Sequence, residues 1–237
     1  MQKNKLRVLV LGGSGFIGPA IVRRLQQAGT ALTLLNRGNR ALPGTQLLIA
    51  NRDDSAAMRA AAEQAGEFDA VLDLNCYTQP QAELAWELFS PLARQWLNIS
   101  TGAVYADITS RTCSEKDALG GSPAAGNYGR NKSAVDEFLL GRSPSPPVTI
   151  LRPSYIYGRG NSVDRETFIW KRVLRGRPVL LPGDGKAMAN FLHVDDLAEA
   201  TALALAQPTS VHRAFNITHP EPVTLRRLVA VLCETTG

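Results

Sequence analysis

The stretch Gly12-Gly13-Ser14-Gly15-Phe16-Ile17-Gly18 directly follows the apolar run Leu6–Leu11 and precedes a segment whose apolar residues have helical spacing. The glycines at positions 12, 15 and 18 suit a tight turn that needs positive φ and a close approach of the backbone to a bound group. A helix that begins at such a turn presents unpaired N–H groups and the positive end of its dipole to an anion. Strand, glycine turn and helix in this order predict a binding site for the diphosphate of a dinucleotide.

The rest of the chain repeats this alternation of short apolar runs and amphipathic segments. Further strands are predicted at Ala31–Leu35, Gln46–Ala50, Ala70–Leu74, Trp96–Ser100 and Val148–Leu151, and helices at Phe16–Ala28, Ser55–Ala65, Gln81–Phe89, Tyr128–Leu140 and Thr224–Thr235. Strands that alternate with helices are parallel, and the helical crossovers cover both faces of the sheet. We therefore predict an α/β fold with a doubly wound parallel sheet. A dinucleotide-binding domain is predicted at residues 1–157, and a lid or substrate lobe interleaved with the sheet edge at 158–237.

The composition limits the compartment and the partners. The 237 residues include 44% apolar side chains. They contain no run near the ~20 apolar residues that cross a bilayer, so an integral membrane protein is excluded. Three distant cysteines provide neither a disulfide framework nor a compact zinc site, and no secretory signal is expected, so we predict a cytoplasmic protein without a metal. The net charge of +5 favours anionic partners, but the short basic clusters are interpreted as solvated helix faces, which makes a nucleic-acid partner unexpected.

The end of the second predicted strand indicates which dinucleotide is bound. An acidic side chain there would accept hydrogen bonds from the adenosine ribose and repel a 2′-phosphate. This chain has Asn36 and Arg37 instead, followed by a second arginine at position 40. A guanidinium group binds a phosphate dianion with two parallel hydrogen bonds and keeps its charge. NADP(H) is therefore favoured, and NAD(H) stays open as the alternative in which Arg37 is only a surface cation.

Thr101, Tyr128 and Lys132, further along the chain, predict the chemistry of the site. Thr101 follows the fifth predicted strand, at the edge where ligands bind in such sheets. Tyr128 and Lys132 are four residues apart on a predicted helix and so share one face. The lysine ammonium, with the positive charge of an oxidised nicotinamide, is expected to lower the pKa of the phenol. Tyr128 could then exchange a proton with a carbinol oxygen that Thr101 holds.

Five stretches carry a resemblance to a known family. They are GGSGFIG at Gly12–Gly18, NISTGAVY at Asn98–Tyr105, YGRNK at Tyr128–Lys132, LRPSYIYG at Leu151–Gly158 and GDGKAMANFLHVDDLAEA at Gly183–Ala200. In this order, over nearly the whole chain, they resemble the extended short-chain dehydrogenase/reductase family in its nucleotide-sugar epimerase/dehydratase branch. The resemblance implies a Rossmann-type fold with a small C-terminal substrate lobe, which is expected to be shortened here.

The resemblance also assigns residues to roles. It implies that Thr101, Tyr128 and Lys132 are catalytic, and that Lys132 also binds the nicotinamide ribose. The expected cofactor site comprises Gly12, Gly15, Phe16, Ile17, Gly18, Asn36, Arg37, Asn51, Arg52, Leu74, Asn75, Tyr128, Lys132, Pro153 and Tyr155.

The chain departs from the family pattern at places that bear on the substrate. The dehydratases of the family carry an acidic pair after the catalytic Thr, where this chain has Gly102 and Ala103, so 4,6-dehydration is not expected. Asn51 replaces an Asp near the adenine. Ala189 stands where many members have an Arg that grips the substrate diphosphate, which weakens the case for a sugar nucleotide.

These features predict an NAD(P)-dependent reductase or epimerase that transfers a hydride at a carbinol or ketone carbon of a sugar or sugar-nucleotide-like substrate. The expected partner is a small molecule, and the protein is compatible with a homodimer. The alternative is an RNA-associated or non-catalytic dinucleotide-binding relative of the same fold. It rests on the basic charge and on Asn36-Arg37-Gly38, which is similar to the corresponding stretch of chloroplast stem-loop-binding proteins.

Overall fold

The structure, a computed structural model, describes residues 5–38, 40–108, 112–142, 146–164, 166–207 and 213–235. The strands are β1 (Arg7–Leu11), β2 (Ala31–Asn36), β3 (Gln46–Ile49), β4 (Ala70–Asp73), β5 (Trp96–Ile99), β6 (Val148–Pro153), β7 (Tyr155–Tyr157), β8 (Met188–Ala189), β9 (Phe191–His193), β10 (Arg213–Ile217) and β11 (Val223–Thr224). The helices are α1 (Gly18–Gln27), α2 (Ser55–Gln64), α3 (Gln79–Phe89), α4 (Gly126–Leu140), α5 (Glu166–Val173), α6 (Val194–Ala206) and α7 (Leu225–Glu234).

Seven strands form one sheet in the order β10-β6-β5-β4-β1-β2-β3. All neighbours in it are parallel. β1 lies inside the sheet, paired with β2 on one side and β4 on the other, and the order reverses there. The predicted doubly wound parallel sheet is confirmed. Two small sheets, β7 with β9 and β8 with β11, lie outside it.

Helices cover both faces of the sheet because its central strands are apolar on both faces. On β1, Val8 and Val10 belong to a core cluster with α1 and α6, whereas Leu9 and Leu11 belong to a second cluster with α2, α3 and α4. Side chains alternate between the faces of a strand, so the continuous apolar run of β1 supplies both clusters. The second cluster packs beneath α4, which carries the predicted Tyr–Lys pair.

The helix boundaries differ from the predicted ones where turn geometry takes precedence. α1 begins at Gly18, not at Phe16, because residues 14–17 form the turn itself. Pro19 then lies at the first positions of the helix, where a missing N–H costs least. α4 begins at Gly126, two residues before the predicted start at Tyr128.

The segment after residue 158 is interleaved with the sheet. α6 packs on α1, and β10 adds the seventh strand beside β6. α5 and α7 contact each other. The division at residue 157/158 stays a prediction. None of the helices in the described ranges has the length and apolar character needed to cross a bilayer.

Candidate active site

The carboxyl ends of the parallel strands meet at one edge of the sheet, and the predicted site residues follow those ends. Asn36 and Pro153 are the last residues of β2 and β6, and Gly12 and Leu74 directly follow β1 and β4. Thr101 lies two residues beyond β5. The structure therefore brings the predicted residues to the edge where parallel α/β sheets bind ligands.

The glycine turn after β1 is tight. Gly12 and Gly13 have φ values of 99° and 90°, in the left-handed region that favours glycine. The Gly12 N–H donates to the Leu35 carbonyl at 2.8 Å, which ties the turn to β2. A Cβ on Gly18 would lie 2.0 Å from the Gly13 carbonyl oxygen, so α1 can begin this close to the turn only with glycine there.

Gly15, between these contacts, borders open space. A Cβ built on it would meet no atom of the described residues within 4 Å. Phe16 and Ile17, which follow it, pack against the core and lead into the N-terminus of α1. Backbone amides, the positive end of α1 and room above Gly15 form a cradle that fits a diphosphate.

The two predicted cofactor residues at the end of β2 differ in burial and in their contacts. The Asn36 side chain is buried and shapes the loop, because its Oδ1 accepts from Gly38 N at 2.8 Å and its Nδ2 donates to the Arg40 carbonyl at 3.3 Å. Arg37, directly after β2, and Arg40 are both exposed. The loop thus presents two cations to solvent, of which Arg37 is next to the end of β2, while Asn36 holds the loop.

The Arg52 side chain is held by hydrogen bonds to other residues of the protein. Its guanidinium donates to both carboxylate oxygens of Asp73, each at 2.8 Å, and to Asn75 Oδ1 at 2.7 Å. Asn75 lies against Gly12, where an added Cβ would come within 3.0 Å of its amide. The predicted cofactor role of Arg52 is therefore indirect in this structure: it orients Asn75 beside the glycine turn. Asn51, the preceding residue, is exposed.

Thr101 and Tyr128 meet at the centre of the edge. Thr101 is half-buried, and its Oγ1 accepts from Ala103 N at 3.2 Å, which caps a short 3₁₀ helix. The Tyr128 hydroxyl lies close enough to the Thr101 side chain for that side chain to act on the pKa of the phenol, and 45% of the tyrosine is exposed. The phenol is thus beside Thr101 and partly open to solvent.

A close helix contact brings these two residues together. A Cβ on Gly129 would lie 2.8 Å from the Ala103 carbonyl oxygen. Glycine at this position lets α4 approach the backbone that follows Thr101. The approach of α4 therefore sets the contact between Tyr128 and Thr101.

Lys132 lies one turn further along α4 and is buried. Its Nζ donates to the Cys76 carbonyl at 2.8 Å and to the Ile99 carbonyl at 3.0 Å. The two carbonyls belong to the segment after β4 and to the end of β5. An ammonium has three donors, so the third N–H of Lys132 is left for a group at the sheet edge.

The pKa of Tyr128 differs from expectation. Burial raises it above its usual range, and the Thr101 side chain opposes that change. Burial also lowers the pKa of Lys132, opposed by negative groups around it. The expected lowering of the phenol pKa by Lys132 is wrong for the protein alone, because the ammonium is directed at two backbone carbonyls and the phenol is partly desolvated.

The chain after β6 passes the site and carries exposed aromatic rings. A Cβ on Gly102 would lie 3.6 Å from the Pro153 carbonyl oxygen, so this chain runs beside the Thr101 segment. Tyr155 and Tyr157 each have a ring centroid 6.1 Å from that of Phe191 on β9. The rings of β7 and β9 therefore form an aromatic surface next to the candidate site.

Three buried charged residues near the site were not anticipated. Asp73, Asp136 and Arg152 are at most 2% exposed. Asp136 follows Lys132 by four residues on the same helix, and this spacing is a signal that could have identified it. Arg152 and Asp73 lie inside apolar strand runs, and only the fold shows that they face α4 and Arg52.

The basic clusters are largely paired within the chain. Arg23 lies 2.9 Å from Asp195, Arg24 is hydrogen-bonded to Glu199, and Arg227 and Glu234 are 2.7 Å apart. This pairing agrees with solvated helix faces. Within the described ranges no three His, Cys, Asp or Glu side chains converge as ligands of a metal ion would.

Similar proteins are found both by sequence and by fold. The sequence model of the NAD dependent epimerase/dehydratase family matches residues 8–218. The chain is 28% identical to the chloroplast stem-loop binding protein of 41 kDa b from Arabidopsis thaliana, over 98% of this chain and 63% of that protein. It is 30% identical to 2′-dehydrokanamycin reductase from Streptomyces kanamyceticus, over 93% of this chain and 64% of that protein. The chain thus spans just under two thirds of the length of both relatives.

Solved structures show the same fold. The UDP-glucose 4-epimerase of Thermus thermophilus, in complex with NAD, superposes with a TM-score of 0.78 at 23% identity. The superposition covers 98% of this chain and 84% of that one. The Rossmann-type architecture predicted from the five motifs is confirmed.

Proposed function

The chain belongs to the NAD dependent epimerase/dehydratase family, and from that premise we propose that it is an NAD(P)-dependent enzyme acting on a carbinol or ketone carbon. The substrate is sugar-like, and the reaction moves a hydride between that carbon and the dinucleotide. The observation that carries the proposal is the close approach of α4 to the segment after Thr101 at Gly129, which brings Tyr128 beside Thr101 and buries Lys132 at the ends of β4 and β5. The three residues lie at the same sheet edge as the glycine cradle.

Each residue has a distinct role in this proposal. The dinucleotide, when bound, supplies or accepts the hydride. Thr101 holds the substrate oxygen by a hydrogen bond, and the Tyr128 hydroxyl gives a proton to that oxygen in reduction or takes one in oxidation. Lys132 offers its remaining N–H to the bound cofactor and keeps a positive charge near the phenol. The raised pKa of Tyr128 suits the acid role at neutral pH.

A reductase fits the site better than an epimerase, because the exposed guanidinium of Arg37 after β2 would bind the 2′-phosphate of NADPH. We expect steady oxidation of NADPH when the protein is mixed with a cyclic ketone, measured by the loss of NADPH fluorescence. An epimerase would retain its cofactor and show no net consumption. Conversion of a carbinol epimer without NADPH loss would therefore contradict the reductase and leave the epimerase.

Replacing Arg37 with alanine is expected to weaken NADP⁺ binding by about 10- to 100-fold, the worth of hydrogen bonds to a charged group. NAD⁺ binding should change by less than about twofold, since NAD⁺ has no 2′-phosphate. Arg40→Ala is the matched control, an exposed arginine of the same loop whose backbone carbonyl still holds Asn36. Equal losses for both cofactors in R37A would show that Arg37 does not read the 2′-phosphate.

The surroundings of the site support a substrate with an uncharged ring. Tyr155 and Tyr157 are 54% and 38% exposed and present aromatic faces beside the Thr101 segment. Aromatic faces suit the apolar side of a sugar or cyclohexane ring. Ala189, on β8, offers no charge for a substrate diphosphate. One relative is named for reducing 2′-dehydrokanamycin, and a structural neighbour is named for UDP-glucose, so ring substrates with and without phosphate occur among similar proteins.

The second candidate is an RNA-associated or non-catalytic protein, favoured by the similarity to a chloroplast stem-loop binding protein. The pairing of Arg23, Arg24 and Arg227 with carboxylates argues against a continuous basic surface for RNA. Turnover in the NADPH assay separates the enzyme from a cofactor-binding scaffold, so the same experiment decides between the two candidates.

A further inference from the structure

A buried ion pair joins α4 to the sheet beneath the candidate active site. Arg152 Nε donates to Asp136 Oδ2 at 2.8 Å, and both side chains are almost completely buried. Val135 and Leu139 on α4 and Ile150 on β6 belong to the apolar cluster on this face of the sheet. Burying two charges is costly, and well-packed apolar side chains often replace such a pair without loss of stability. Packing alone therefore does not account for the pair.

The pair extends into a connected polar network. Arg152 Nη1 donates to the Tyr105 hydroxyl at 3.0 Å, and that hydroxyl donates to Asn216 Oδ1 at 2.6 Å. Asn216 lies on β10, opposite Arg152 in the parallel register. α4 is thereby connected through Asp136 to β6, to the segment after Thr101 and to the edge strand β10.

The Asp136 carboxylate depends on Arg152 for its anchorage. Within the described part of the chain, Asp136 Oδ1, Ser100 Oγ and both amide atoms of Asn98 are buried without a hydrogen-bond partner. The Ser100 hydroxyl is close enough to Asp136 to act on its charge, but it makes no direct hydrogen bond with Oδ1. Arg152 is thus the residue that fixes the carboxylate, and with it the rotation of α4 on the sheet.

That rotation determines where the catalytic groups lie. Lys132 precedes Asp136 by one helical turn on the same face, and Tyr128 precedes Lys132 by another. Lys132 can reach the Cys76 and Ile99 carbonyls only with α4 held close to the sheet. We infer that Asp136 and Arg152 are positioning residues of the active site, which hold α4 so that Tyr128 and Lys132 meet substrate and cofactor. This inference rests on the proposed function.

The pair also sets the charge around Lys132. The charged and titratable groups that change the pKa of Lys132 are Asp136 and Asp73, the Cys76 thiol and the Arg52 guanidinium. The negative charge of Asp136 raises the pKa of Lys132 and that of Tyr128. Losing this charge lowers both pKa values, so both groups lose their protons at a lower pH.

The test compares Asp136→Asn with the double variant Asp136→Leu/Arg152→Met in ketone reduction by NADPH. For D136N we expect kcat to fall about 10- to 100-fold. Its KM and NADP⁺ affinity should stay within about threefold of those of the unaltered protein, and the alkaline limb of the pH–kcat profile should move to lower pH. The double variant removes both buried charges and should regain the melting temperature of the unaltered protein while kcat stays low.

Two results would overturn the positioning role. One is an unchanged kcat and pH profile in D136N. The other is a double variant whose kcat recovers together with its melting temperature, since that would make the pair purely structural. The double variant keeps the test open if D136N does not fold. Tyr128→Phe, assayed in parallel, tests the proposed function separately: normal turnover in Y128F would refute the proton-transfer role, whatever the Asp136 variants do.

Discussion

Replacing Tyr128 with phenylalanine is expected to lower kcat by roughly 10²- to 10⁴-fold, the usual contribution of a positioned acid or base. The change removes the hydroxyl beside Thr101 and keeps the aromatic ring. The glycine cradle and Lys132 are untouched, so the dissociation constant for NADP⁺ should stay within about twofold. Steady-state kinetics and fluorescence titration of the cofactor measure the two effects independently.

Tyr77 provides the matched control. It is 53% exposed, and its hydroxyl is close enough to Tyr128 to influence the charge of that phenol. Tyr77→Phe removes a hydroxyl in the same cleft but outside the Thr101 contact, so turnover should be nearly unchanged. A Y128F protein with at least a third of normal turnover, or a Y77F protein as inactive as Y128F, would refute the assignment of the proton to Tyr128.

Replacing Gly18 with alanine is expected to destabilise the protein by about 3 kcal/mol or more, because backbone atoms must move to admit the methyl group. The added Cβ would lie 2.0 Å from the Gly13 carbonyl oxygen, and no flexible side chain is there to give way. The melting temperature should fall by roughly 10 °C, as expected for a domain of this size. Thermal unfolding followed by circular dichroism measures the change.

Gly15→Ala tests binding of the cofactor separately from the stability of the turn. A Cβ at Gly15 meets no described atom within 4 Å, so the melting temperature should be unchanged. The methyl group would occupy the space above the cradle, and NADP⁺ binding should weaken at least tenfold. If G18A melted normally, the close contact of α1 with the turn would be contradicted. If G15A bound NADP⁺ normally, the cradle would not be the diphosphate site.

The parts of the fold that depend on local pattern could be predicted from the sequence. The run Leu6–Leu11 and the glycines after it identify β1, the turn and α1, because a strand buried on both faces must be continuously apolar. The order Thr101, Tyr128, Lys132 could be read in the same way, since an (i, i+4) pair on a helix shares a face. These features involve residues close together in the chain.

The rest depends on contacts between distant segments, which no local pattern specifies. Arg52 could be assigned to the cofactor site, but not its bidentate bond to Asp73 on another strand. The Lys132 ammonium could be placed beside Tyr128, but not its two bonds to backbone carbonyls. Both outcomes depend on which strands become neighbours and how deeply α4 is buried, and the predicted pKa change failed for this reason.

The place of β1 inside the sheet bears on how the protein is made. The turn after β1 is closed by a bond to the Leu35 carbonyl, on the strand that next leaves the ribosome. The carbonyls that hold Lys132, and Lys132 itself, are synthesised much later. The glycine turn and β2 are therefore synthesised before Thr101, Tyr128 and Lys132, so the proposed diphosphate site can form on the nascent chain before the proposed proton-transfer residues are present.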